Sequence, residues 1–99
     1  MLSWFDANEV QQMAERLAEE FGRVYPATEI GKENKQSQVR RERATQVLFA
    51  QTKQFAAKAG LNIYKKARFG QTFQQALVSR GYDVEFVRTL TKEVLFYLR

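Results

Sequence analysis

The sequence predicts an all-α protein, a small bundle of about four helices forming a single domain over residues 1–99, with one longer polar loop after the first helix. Three observations lead there. Apolar residues recur at spacings of three and four in several separate stretches. Short polar residues suited to capping stand at the heads of those stretches. Five Gly and one Pro are too few for the turns of a sandwich or barrel. A chain of 99 residues has the size of one domain, and a 44% hydrophobic content with eight Phe gives it enough apolar surface to offset the entropy of ordering.

The first helix starts at Asp6-Ala7-Asn8-Glu9, the pattern of a capping box in which Asp6 accepts from the Glu9 amide and the Glu9 carboxylate reaches back. Phe5 and Val10 stand at the two positions of a hydrophobic staple, and Trp4, beside Leu2 and Phe5, is expected to pack beneath the helix. Val10, Met13, Ala14, Leu17, Phe21 and Val24 form the inward stripe, leaving Glu15, Arg16, Glu19 and Arg23 wet. Pro26 stops the helix. Residues 27–38 are polar, contain Gly31 and offer only Ile30 to a core, which is the composition of a mobile loop.

A second helix over about residues 38–59 presents Ala44, Leu48, Gln51, Phe55 and Ala59 on one face, flanked by Val47 and Ala56. Gly60 suits the left-handed residue past its end, with Leu61 folding back as in a Schellman cap. Asn62 caps a third helix, whose apolar face continues through Phe69, Phe73, Ala76 and Leu77, with Gly70 as a weak point. Gly81 then stops one helix and Asp83 starts the next, a very short connection. The last helix, from Val84, turns Phe86, Val87, Leu90, Val94, Tyr97 and Leu98 inward over an arc of about 160°, wide for a surface helix. Its tail, residues 94–98, fits a strand equally well on periodicity alone.

The chain has no Cys and no His, which removes disulfides, thiolate metal sites and imidazole chemistry, so neither a metal nor a cofactor is expected. Glu15, Glu19 and Glu20 belong to a polar face without a nucleophile or cleft pattern, so the expected role is non-catalytic. The first residues lack the features of a secretory signal and the longest apolar run, residues 94–98, is far short of a membrane span, so the cytoplasm is the expected location and no membrane partner is expected.

Charge is unevenly spread. Residues 1–31 carry a net −4 and residues 32–68 a net +8, against +5 for the whole chain. Such polarity bears on partners rather than on fold. Arg40, Arg43, Lys53, Lys58, Lys65, Lys66 and Arg68 are the candidate cations for a nucleic acid or another polyanion such as an acidic protein, with Tyr64 as a ring for a base to stack on. Glu15 and Glu19 of the acidic first helix could instead pair with Arg40, Arg41 and Arg43 and neutralise them internally. Residues 55–62 resemble the first helix and turn of a helix-turn-helix motif, with Ala at the crossing, Gly60 in the turn and Asn62 opening the next helix. The departure is Lys66, where that motif has an inward apolar residue. The alternative reading is a helical interaction protein, in its simplest form a homodimer, joined through Phe49 and Phe96, two aromatics that lie off their helices' apolar stripes.

Overall fold

The computed structural model describes residues 6–98, and every regular element within them is helical. They are α1 (Ala7–Val24), a 3-10 turn (Ala27–Glu29), α2 (Lys35–Lys58), α3 (Ile63–Ser79) and α4 (Val84–Tyr97). The tail of the last helix is helix rather than strand, with Leu98 as its cap. Trp4 and the Phe5 half of the staple lie outside the described residues.

Each helix opens on a short polar side chain that satisfies an otherwise orphaned amide. Asp6 and Glu9 form the reciprocal capping box. Asn62 accepts from the Lys65 amide at 2.8 Å and Asp83 from that of Phe86 at 3.0 Å. The fourth cap, Asn34, accepts from the Ser37 amide at 2.8 Å and moves the start of α2 back to Lys35. The polar loop is therefore shorter than residues 27–38. Residues 35–38 hold no apolar side chain on the core face, so hydrophobic periodicity has nothing to register there. Their inward residue is Ser37, which is buried and donates to the Glu29 carbonyl at 3.4 Å. With the 3-10 turn and Gly31 at φ +91°, this bond ties the segment down.

The Schellman cap stands at the other glycine. Gly60 has no positive φ, and α2 ends in extended backbone at Ala59, whose amide bonds to the Phe55 carbonyl. At the end of α3, by contrast, the Tyr82 amide donates to the Leu77 carbonyl at 3.2 Å and the Gly81 amide to that of Val78 at 3.0 Å, with Gly81 at φ +93°. Tyr82 and Leu77 are both buried, supplying the apolar contact that accompanies this motif. The difference follows from where each connection must lead. α3 and α4 are packed neighbours, so the chain reverses at once; α2 and α3 share no main packed face, so four residues carry the chain across the end of the bundle.

α1 packs most extensively on α3 and then on α2, while α4 packs on α3 and α2. α1 and α3 run parallel: Gln11 meets Arg68 near their starts, and Gly22 meets Tyr82 and Arg80 just past the end of α3. α2 and α4 are parallel too, with Arg41 over Phe86 and Lys53 over Tyr97. Two aromatic clusters fill the interior. Phe55, Phe69 and Phe73 stack in one, and Phe21, Tyr25, Tyr82 and Phe86 in the other. Gly70 is no break in α3: a Cβ there would stand 3.1 Å from Leu95, so glycine lets α4 approach closely. Thr52, Thr72 and Thr91 are buried alongside the apolar residues, and Thr52 satisfies its hydroxyl on the Leu48 carbonyl at 2.7 Å. Val47, expected to flank the core, is 44% exposed instead. No described helix is long and apolar enough to cross a membrane.

Candidate functional site

The structure divides the basic residues into two groups. α2 is about 36 Å long at 1.5 Å per residue, with Arg40 and Arg43 towards its start and Lys53 and Lys58 towards its end. Near the start, charges of both signs mix. Arg40 lies 3.8 Å from Glu29, which also holds Lys32 at 3.2 Å. Hydrogen bonding from Lys32 first and Ser37 next, with the Lys32 and Arg40 charges adding their field, keeps the Glu29 carboxyl below its ordinary range. Arg41 sits over the Phe86 ring at 5.2 Å. Beside it a groove of about 830 Å³ between α2 and α4 is lined by Glu42, Asp83, Glu85 and Glu93. Arg43 is exposed and makes no ion pair among the described residues.

The end where α2 gives way to α3 is different. No Asp or Glu occurs between Glu42 and Asp83, while Arg43, Lys53, Lys58, Lys65, Lys66, Arg68 and Arg80 all do. The rear half of α2 and the whole of α3 thus carry cations and no carboxylate of their own. Lys58 is exposed and Lys66 half-buried, and neither is in an ion pair among the described residues. Lys53 lies over the Tyr97 ring at 5.4 Å.

Arg68 is held by neutral groups. Its Nε and Nη2 donate to Gln11 Oε1 at 3.3 and 3.0 Å, and its Nη1 donates to the Tyr64 hydroxyl at 3.1 Å. The Tyr64 side chain remains 60% exposed, and Ile63 next to it 86%. Lys65 departs from expectation: it is only 9% exposed. It stands one turn before Phe69 and two before Thr72 and Phe73, all buried, so its stem lies on the inward face. The base that points inward is Lys65 and not Lys66.

The acidic first helix is the direct neighbour of α3 at this end: Gln11 holds Arg68, and Glu15 lines the same shallow recess as Arg68 without an ion pair between them among the described residues. Among the described residues the ion pairs are Arg16–Glu20, Lys32–Glu29, Arg40–Glu29 and Arg88–Glu85, so Glu15 and Glu19 do not neutralise Arg40, Arg41 or Arg43. They line shallow recesses on the α3 side of α1, with Arg16 and Arg80, because the parallel packing of α1 on α3 turns that face away from α2. The helix-turn-helix arrangement is also absent. α2 and α3 meet through Phe55 and Phe69, with ring centroids 5.9 Å apart, rather than along a shared face, and Gly60 makes no left-handed turn.

Of the two aromatics expected at an interface, Phe49 is not free for one. Its ring lies 4.5 Å from that of Tyr97, because α2 packs on two neighbours and Phe49 faces α4 while Ala44 and Leu48 serve the central core. Phe96 is 55% exposed, edge-on to Tyr97. Lys53, Phe49, Tyr97 and Phe96 therefore form one aromatic and basic group at the ends of α2 and α4.

Sequence periodicity could place the cations on the wet faces but could not show which of them stay without an ion pair. The signal was legible in the sequence as a run without Asp or Glu rather than as a density of Lys and Arg. Gln11, which anchors Arg68, had no signal, since a neutral side chain on another helix leaves no mark in charge patterning. Among the described residues no group of three or more Asp or Glu side chains is placed to hold a metal ion. No protein-family model, curated protein or solved structure matches the chain.

Proposed function

We propose that the protein is a non-catalytic binding module that takes a polyanion, a nucleic acid, on the end of the bundle where α2 gives way to α3. One observation carries the reading: Lys58 and Lys66 make no ion pair among the described residues, Tyr64 is 60% exposed, and the chain has no carboxylate from Arg43 to Tyr82. Unneutralised Lys and Arg attract phosphates and gain from counterion release, whereas cations already paired within a protein gain little. The ring favours a nucleic acid over an acidic protein, because every base offers a π-face. Lys53 and Arg68 add to the field of this end. Lys65 contributes charge through a buried stem, and Arg40 and Arg43, about 22–27 Å from Lys58 along α2, serve only a longer ligand.

The test is titration of a fluorescent oligonucleotide followed by anisotropy at several salt concentrations. Binding should weaken steeply with salt, and replacing Lys58 and Lys66 together by Gln should flatten the log–log slope by about 1.5. Circular dichroism of the variant should match the parent. Absence of binding at about 50 mM salt would sink the proposal.

Self-association is a second reading, favoured by the 55% exposure of Phe96. In that case light scattering should give a dimer mass, and Phe96→Ala should return the monomer with its helices intact. A monomer at high protein concentration excludes it.

A further inference from the structure

We infer that the ligand of this end is a single-stranded nucleic acid, one unstacked base of which lies on the Tyr64 ring; the inference rests on the polyanion reading above. Tyr64 is presented in a fixed pose. Its hydroxyl accepts from Arg68 Nη1 at 3.1 Å, and the same guanidinium is forked onto Gln11 Oε1 of α1 at 3.0 and 3.3 Å. Arg68 of α3, itself braced by Gln11 of α1, thus holds the hydroxyl end of the ring while leaving the side chain 60% exposed. A ring ordered before binding loses less entropy when a base settles on it. Arg68 spends Nε and both Nη groups in this clasp, so it positions the ring, and the phosphates fall to Lys66 and Lys58.

Strand state follows from what the first turn of α3 displays. A duplex hides its base faces in the stack and shows only edges in the grooves, which are read by polar side chains on an element that enters the groove. Here the outermost side chains are Ile63, 86% exposed, and Tyr64, neither of which makes a bidentate contact with a base edge. These two exposed side chains stand next to each other in a stretch whose charges, Lys58, Lys65, Lys66 and Arg68, are all positive, the combination that suits a strand with its bases splayed. α2 and α3 also share no packed face that would project α3 as a reading helix.

The experiment compares one labelled 12-nucleotide strand, alone and annealed to its complement, against the full chain at fixed low salt. The single strand should bind more tightly. Tyr64→Ala should weaken single-strand binding about 5- to 150-fold, the worth of one stacked base, while leaving the duplex affinity unchanged. Tyr64→Phe, which keeps the ring but loses the clasp, should fall between parent and Tyr64→Ala. The inference is overturned if the duplex binds as tightly as the strand, or if Tyr64→Ala leaves the strand affinity intact. In those outcomes a loss on replacing Lys58 and Lys66 still upholds the polyanion reading. If neither nucleic acid form binds, both are overturned, and sedimentation with phosphatidylserine vesicles then asks whether the basic and apolar end meets a membrane surface instead.

Discussion

Replacing Phe69 by alanine should cost about 3–5 kcal/mol, a third or more of the stability usual for a domain of this size. Phe69 is fully buried and lies between two further rings, with centroids 5.9 Å from Phe55 and 6.4 Å from Phe73. Removing it loses the transfer free energy of the ring and leaves a void. The void has little means of closing. Two of its neighbours are rigid rings, and at the next residue, Gly70, even a Cβ would stand 3.1 Å from Leu95. Urea denaturation followed by helical circular dichroism should show the midpoint fall sharply at an unchanged slope. A loss below about 1 kcal/mol would mean that α1 and α4 can move in to fill the space.

Tyr82→Phe should cost about 1–3 kcal/mol although it removes a single oxygen. The Tyr82 hydroxyl donates to the Tyr25 carbonyl just past the end of α1, and both residues are buried, so the variant leaves that carbonyl without its donor and away from water. The same position gives a pH signature. Burial, partly opposed by the Arg80 charge, pushes the Tyr82 hydroxyl from 10.0 up to about 12. Because the folded value is the higher one, the contribution of the neutral phenol is fully present below pH 10 and is lost as pH rises from 10 towards 12, where the unfolded chain has already released its proton. Phenylalanine has no proton to lose. The stability gap between parent and Tyr82→Phe should hold constant from pH 7 to about 9.5 and then narrow, measured as urea midpoints across that range. A gap that stayed constant to pH 12 would contradict the burial of the hydroxyl as a neutral donor.

Features set by neighbours along the chain were legible in the sequence. Asp6, Asn62 and Asp83 open helices because capping needs only a side-chain oxygen within three residues of an amide. Val10, Ala14, Leu17 and Phe21 are buried because i, i+4 and i+7 share a helix face. What depends on which helices meet was not legible. Phe49 looked unpartnered because its partner ring, Tyr97, is on another helix. Gly60 and Gly81 follow equally plausible helix ends, and only the need for an immediate reversal at the second puts the left-handed residue there. Lys65 looked wet because a long cationic side chain can snorkel along an inward face, a choice made by the packing around it. The charge segregation of the candidate site could be read from the residues alone. That Glu15 and Glu19 form no ion pair with Arg40, Arg41 or Arg43 could not, since the outcome turns on α1 choosing α3 over α2 as its main neighbour.

That choice also makes the chain indivisible. The two polar clasps that bind α1 to the rest, Gln11 to Arg68 and the Tyr25 carbonyl to Tyr82, each join residues 57 positions apart. A nascent chain exposes α1 and α2 before the main partner of α1 has been made, and closing so long a loop returns its entropy only when α3 and α4 are in place. No split between the helices yields a fragment with a finished core. The first helix waits, with its apolar face open, for the last third of the chain.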